Sequence, residues 1–199
     1  MDTKRKIIRV AKRLFLEKGV DNTSIRNIAD EARINVAALN YHFKSKENLF
    51  EIILEDLLSN SSYELPSILN ASIPLEEKIR QYVNTYIDII LDNPGLPFFI
   101  ISVLHRNPKR IASMKISQSL YNSEAFSRQL AEEAEKGNIK RVDPNHFFVN
   151  MLSLIVFPAS VQQILMEKNQ WEEHNFKQFI KERKAEVYHL LMASIRIDQ

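Results

Sequence analysis

Three features of this sequence predict an all-α fold. Apolar residues recur at three- and four-residue spacing along nearly the whole chain, strict alternation over strand lengths is absent, and the 199 residues include only 3 glycines, too few for a family of tight hairpins. An apolar content of 45% supplies a packed core. The absence of cysteine excludes disulfide scaffolds, thiolate zinc sites, iron–sulfur clusters and thiol nucleophiles together. No uncharged apolar run reaches 18 residues, and basic residues interrupt the apolar ones at the N-terminus, so the chain reads as a soluble cytoplasmic protein with no membrane partner.

The elements follow from spacing and punctuation. Helix one runs from Thr3 to Lys18, with Ile7, Ala11, Leu14 and Phe15 on one face and Gly19 placed to end it. A short second helix opens after Thr23 as N-cap and buries Ile25, Ile28, Ala29 and Ala32. After a break at Arg33-Ile34, Asn35 caps a third helix, Val36 to His42. Ser45 caps a fourth that runs through Leu49, Ile53 and Leu57 to the polar Ser59-Asn60-Ser61-Ser62. Longer helices follow: one after Pro74 ending near Asp92, an apolar one after Pro97, and one from Asn107-Pro108 to Lys136. Another runs from Asp143-Pro144 to about Lys168 with a kink at Pro158, and a last from Glu172 to Ile197.

Charge divides the chain where composition does not. Residues 1–50 hold 11 basic against 6 acidic residues, leaving 16 against 19 for the rest, a basic head on a mildly acidic body. Within the head, two short helices joined by a few residues, with small Ala29 at their approach, match a helix-turn-helix, though the same periodicity suits an ordinary α-hairpin. The presumed recognition helix VAALNYH exposes small and amide side chains rather than a salt-bridged surface, and hydroxyl, amide and Lys groups stand at helix starts, where backbone N–H groups favour phosphate.

Residues 7 to 49, from IIRVAKRLFLEKG through TSIRNIADEA to NYHFKSKENL, resemble the DNA-binding domain of the TetR family of bacterial transcription regulators. The resemblance implies a helix-turn-helix three-helix domain over 1–46 and a helical effector-binding and dimerisation domain over 47–199. It implies that Thr23 and Ser24 meet the phosphate backbone, that Asn35, Ala37, Ala38 and Asn40 face the major groove, that Tyr41 and His42 lie against the groove wall, and that Lys46 meets a phosphate. The turn position that is commonly Gly in the family is Arg33 here. It must adopt a left-handed conformation at some cost, or the turn is rearranged, and its charge would then serve the DNA backbone. The expected function is a sequence-specific regulator, most often a repressor in this family, released from double-stranded operator DNA by a small-molecule effector.

The rest of the chain offers weaker signals. Tyr82, Tyr86, Phe98, Phe99, His105, Met114, Tyr121 and Phe126 suit either core packing or a pocket for a largely apolar effector. The two closing helices carry Phe147, Met151, Ile155, Phe179, Val187, Leu191 and Ile195, apolar on more surface than one small domain covers, which points to a homodimer seam. The alternative is an all-α small-molecule-binding or metal-dependent enzyme with an incidental basic head. Glu186 and His189 have the Glu-x-x-His spacing of di-iron bundles, but no second copy exists: the other histidines follow Leu39, Ser102, Asp143 and Trp171 at that spacing. Neither metal nor cofactor is expected.

Overall fold

The computed structural model describes residues 3–62, 64–106 and 124–197, all-helical apart from short connections. These residues fall into two compact units, one drawn from 1–61 and 98–108, the other from 62–97 and 109–199. The first holds α1 (Thr3–Lys18), α2 (Ile25–Glu31), α3 (Val36–Phe43) and α4 (Lys46–Ser62). Ile7, Ala11, Leu14 and Phe15 of α1 are buried with Ile28, Ala29 and Ala32 around α2, Leu39 and Phe43 of α3, and Leu49 and Ile53 of α4. This is a stripe-on-stripe core in which Ala29 lets α2 approach its neighbours. Phe50 sits between two rings, 6.2 Å from Phe15 and 5.6 Å from Phe99.

The second unit holds α5 (Glu64–Asn70), α6 (Leu75–Asp92), α8 (Glu124–Glu135), α9 (Pro144–Ser160), α10 (Gln162–Asn169) and α11 (Glu173–Ile195), while α7 (Leu96–Arg106) begins at its border. The short α5 has no counterpart in the sequence reading, which ends its fourth helix at Ser59 to Ser62, where α4 also ends. Asp143 caps α9 through the N–H groups of Asn145 and His146, both at 2.9 Å, with Pro144 in the first turn.

The bend foreseen at Pro158 falls later in the chain, since α9 runs through the proline to Ser160. α9 and α10 meet at Val161 with a bend of 63°. Proline has no N–H to give Leu154, four residues back, and its ring crowds that carbonyl. The Leu154 oxygen instead accepts from the Arg183 guanidinium of α11, at 2.8 Å and 3.3 Å. Among the described residues no single helix is long and apolar enough to cross a membrane, although the bent α9–α10 pair passes that test jointly.

Candidate nucleic-acid interface, effector body and dimer face

The head positions its outward side chains by a chain of caps. Thr23, expected to start α2 at a phosphate, is buried, its hydroxyl directed to the carbonyls of Gly19 (2.9 Å) and Leu14 (3.3 Å). Ser24 is the N-cap instead, one residue later: its hydroxyl accepts from Asn27 N–H at 3.0 Å while the Asn27 amide oxygen accepts from Ser24 N–H at 3.0 Å, a reciprocal capping box. Adjacent hydroxyls give the sequence reader no way to choose between them; burial against α1 decides.

Arg33 takes the left-handed conformation (φ 51°), and its N–H and that of Ile34 bond back to Asp30 and Ala29, at 2.9 and 3.0 Å. That is the helix-ending motif in which glycine avoids steric cost, and glycine does occupy the equivalent place after α8, at Gly137. The turn is therefore kept, not rearranged, and the Arg33 side chain is exposed without an ion pair among the described residues.

The Asn35 side-chain oxygen accepts from Ala38 N–H at 2.7 Å, which caps α3 and leaves its amide NH2 outward. Leu39 and Phe43, both fully buried, pin α3 to the core, so Ala37, Asn40 and Tyr41 are exposed and Ala38 and His42 half-buried. Tyr41 is 85% exposed and meets only the edge of His42, with ring centroids 5.4 Å apart. A large aromatic left in water on a helix otherwise anchored by apolar residues is a surface awaiting a partner. Lys46 is committed inward: its ammonium donates to Val20 O at 2.8 Å and Thr23 O at 3.0 Å, tying the start of α4 to the α1–α2 connection. Its one remaining N–H and the open N–H groups of the α4 terminus are what it offers a phosphate. Arg26 of α2, exposed and without an ion pair among the described residues, joins this surface; its place beside the N-cap, off the Ile28–Ala29 face, was the available signal. Arg13, by contrast, is held by Glu17 and Glu31.

Residues 7–53 match the sequence profile of the bacterial regulatory proteins of the tetR family. Over 190 residues, covering 92% of this chain and 91% of the relative, the sequence is 27% identical to the "Probable HTH-type transcriptional regulator YttP" of Bacillus subtilis (strain 168). It is also 27% identical, over 94% of this chain and 96% of the relative, to IcaR of Staphylococcus aureus (strain Newman), the HTH-type negative transcriptional regulator of the biofilm operon icaADBC. The fold resembles a TetR/AcrR-family transcriptional regulator of Thermobifida fusca YX-ER1, with TM-score 0.61 and 21% identity over 94% of this chain and 97% of that one.

Residues 7–53 are a DNA-binding domain of the TetR family's kind. The chain is a DNA-binding transcriptional regulator, and the relatives it matches bear the names of regulators. Members of the family bind operator DNA, dimerise and bind small-molecule effectors.

The aromatic set divides between the two units. Phe99 is buried in the head's unit against Phe50, while neighbouring Phe98 is exposed. Tyr82 and Phe126 are buried in the second unit, where Tyr82 lies 6.0 Å from Tyr86 and 6.3 Å from Phe148, and Phe126 lies 6.0 Å from Phe147. Met114 and Tyr121 lie outside the described residues, as does the side chain of His105. Among the described residues, Tyr82, Tyr86 and Phe126 thus share the second unit.

The expected dimer residues require a correction. Phe147, Met151, Ile155, Val187, Leu191 and Ile195 are buried in the chain's own core, and Phe179 is half-buried against Trp171 at 5.1 Å. Helices apolar on most of their circumference give no indication of which face turns inward, and the stripe chosen from sequence is the inner one. The large apolar side chains left in water on α9, α10 and α11 are Val149, Phe157 (64% exposed), Ile164 (65%) and Leu190.

Proposed function

We propose that this regulator is a homodimeric repressor whose two α3 helices read successive major grooves, with residues 1–46 as the DNA-binding part and 47–199 as the effector and dimerisation part. The observation that carries the reading is the exposed edge of α3, where Ala37, Asn40 and Tyr41 face water while Leu39 and Phe43 hold the helix from behind. Small and amide side chains suit base edges, and Tyr41 with His42 suits the groove wall. Ser24, Arg26, Arg33, Asn35 and the start of α4 at Lys46 supply donors for phosphates on either side. Repression finds support in IcaR, the matched relative named as a negative regulator.

A single short helix reads only a few base pairs, so useful affinity needs two copies about 34 to 36 Å apart. Val149, Phe157, Ile164 and Leu190 offer the apolar surface for a second copy of this chain. The second unit, with Tyr82, Tyr86 and Phe126, receives a small molecule that favours a state in which the two α3 helices no longer match the grooves. A ligand shifts that balance only by its differential affinity for the two states.

Fluorescence anisotropy with a duplex from the gene's own promoter region tests the reading. Tyr41→Ala should cost roughly 1 to 3 kcal/mol of binding while leaving the melting temperature unchanged, since the ring touches almost nothing in the free protein. Binding of this variant at wild-type strength would remove α3 from the interface. Native mass spectrometry of the protein from its own host tests the effector: a retained small molecule that weakens the operator complex supports it, and a ligand-free protein whose operator complex resists the host's metabolite extract refutes it.

A further inference from the structure

α6 carries on its inward stripe a residue that neither DNA binding nor the dimer face explains. Lys78 is 3% exposed, buried with Leu75 and Ile79 and, one turn on, Tyr82. Among the described residues no acceptor bonds its ammonium. The neighbouring carboxylates are engaged elsewhere: Glu76 accepts from Arg80 at 2.9 Å and from the Tyr188 hydroxyl, and Glu77 from Gln81 at 2.9 Å. Burial pushes the Lys78 pKa down. An unpaired cation out of water is costly and is ordinarily compensated by a counter-ion.

A second polar mismatch lies at the same end of the helix. Gln129 of α8 donates to Ile73 O at 2.8 Å, just ahead of α6, and its side-chain oxygen is buried without a partner among the described residues. The helix start itself has Pro74 as N-cap and no side-chain cap, and helical side chains lean toward the N-terminus, which carries the Lys78 stem in that direction. Lys78, Tyr82 and Tyr86 form one column at four-residue spacing, apolar in body and polar at the tip.

We propose that Lys78 is the counter-charge for the effector, a monoanionic amphiphile with a carboxylate on an apolar body. One lysine is a point charge suited to a single negative charge; a dianion such as phosphate would want Arg forks or several cations. The apolar body follows from the surroundings, where Leu65, Leu69, Leu75 and Ile79 of α5 and α6 reward loss of hydrocarbon hydration. The inference rests on the effector reading above.

Calorimetry on the full-length protein with n-alkanoates of eight to fourteen carbons and the matching n-alkanols tests it. The wild type should prefer an alkanoate to its alcohol by tenfold or more, Lys78→Met should lose that preference while melting no lower than wild type, and Lys78→Arg should keep it. A preference that survives Lys78→Met, equal binding of acid and alcohol, or no alkanoate binding overturns the assignment. Equal binding with release of the operator leaves the effector reading standing while Lys78 falls. A co-purified ligand that carries no negative charge has the same effect.

Discussion

The two units solve opposite surface problems. On the edge formed by α3 and the starts of α2 and α4, the head hides Leu39 and Phe43 and leaves outside the amides of Asn35 and Asn40, the Ser24 hydroxyl, Arg26, Arg33 and the Tyr41 ring. The closing helices of the body bury an equally tight core yet leave Val149, Phe157, Ile164 and Leu190 in water. The difference teaches that an exposed face limits the chemistry of what can cover it: cations, amides and hydroxyls suit a polyanion, bare hydrocarbon another apolar face.

The sharpest way to break that comparison is to charge the apolar face. Phe157→Arg should leave helical content intact, give a monomer by sedimentation, and abolish measurable operator binding, since a buried unpaired charge opposes association. Leu191→Ala, on the inner side of the same helices, should instead cost about 2 to 5 kcal/mol of stability, read by denaturant unfolding. A dimeric Phe157→Arg protein with wild-type operator affinity would place the partner surface elsewhere.

The proline break gives a smaller effect. Arg183→Met should cost about 1.5 to 3 kcal/mol, the usual worth of a hydrogen bond to a charged group, by stranding the Leu154 carbonyl. The same substitution should cost much less in a Pro158→Ala background, where an N–H returns to that oxygen; equal costs in both backgrounds would refute the coupling.

In the head, Arg33→Gly should raise stability by about 0.5 to 1 kcal/mol, relief of left-handed strain exceeding the entropy glycine adds to the unfolded chain. It should also flatten the salt dependence of operator binding by about one counterion if the guanidinium meets a phosphate.

The smallest effect concerns pH. The Glu76 carboxyl is held below its ordinary value of 4.5 by the Tyr188 hydroxyl first and Arg80 after it, working against its partial desolvation. A lowered folded value means its stabilisation is complete above that ordinary value and lost as pH falls through the folded one. Glu76→Gln should therefore flatten the acid limb of a melting-temperature profile, and an unchanged limb would show the cluster contributes nothing.

Much of this was legible before folding because local signals were unambiguous. Gly19 ends α1 at positive φ, Asn35 caps α3, Ser45 caps α4 and Asp143 opens α9, each a residue whose side chain or backbone freedom has one natural use there. Long-range choices were not legible. Whether Thr23 or Ser24 caps α2 depends on a carbonyl nine residues away, and Lys46 turns inward because the α1–α2 connection presents two carbonyl oxygens to it. The inner face of α9 and α11 is chosen by α6, which the sequence cannot align with them. Lys78 was hidden for the opposite reason: a lysine in an apolar stripe reads as an edge position until its burial is seen.

The bond from Arg183 to Leu154 also has an evolutionary consequence. A proline can be fixed at position 158 only in a lineage that already carries, or soon acquires, a donor long enough to cross from the facing helix. Once the two are joined, neither can drift alone without loss. Among descendants of this chain, replacement of Pro158 by any residue with an N–H should free position 183 to vary, whereas lineages that keep the proline should hold a guanidinium or an equivalent donor opposite it. The order of those substitutions along a reconstructed tree would show which of the two came first.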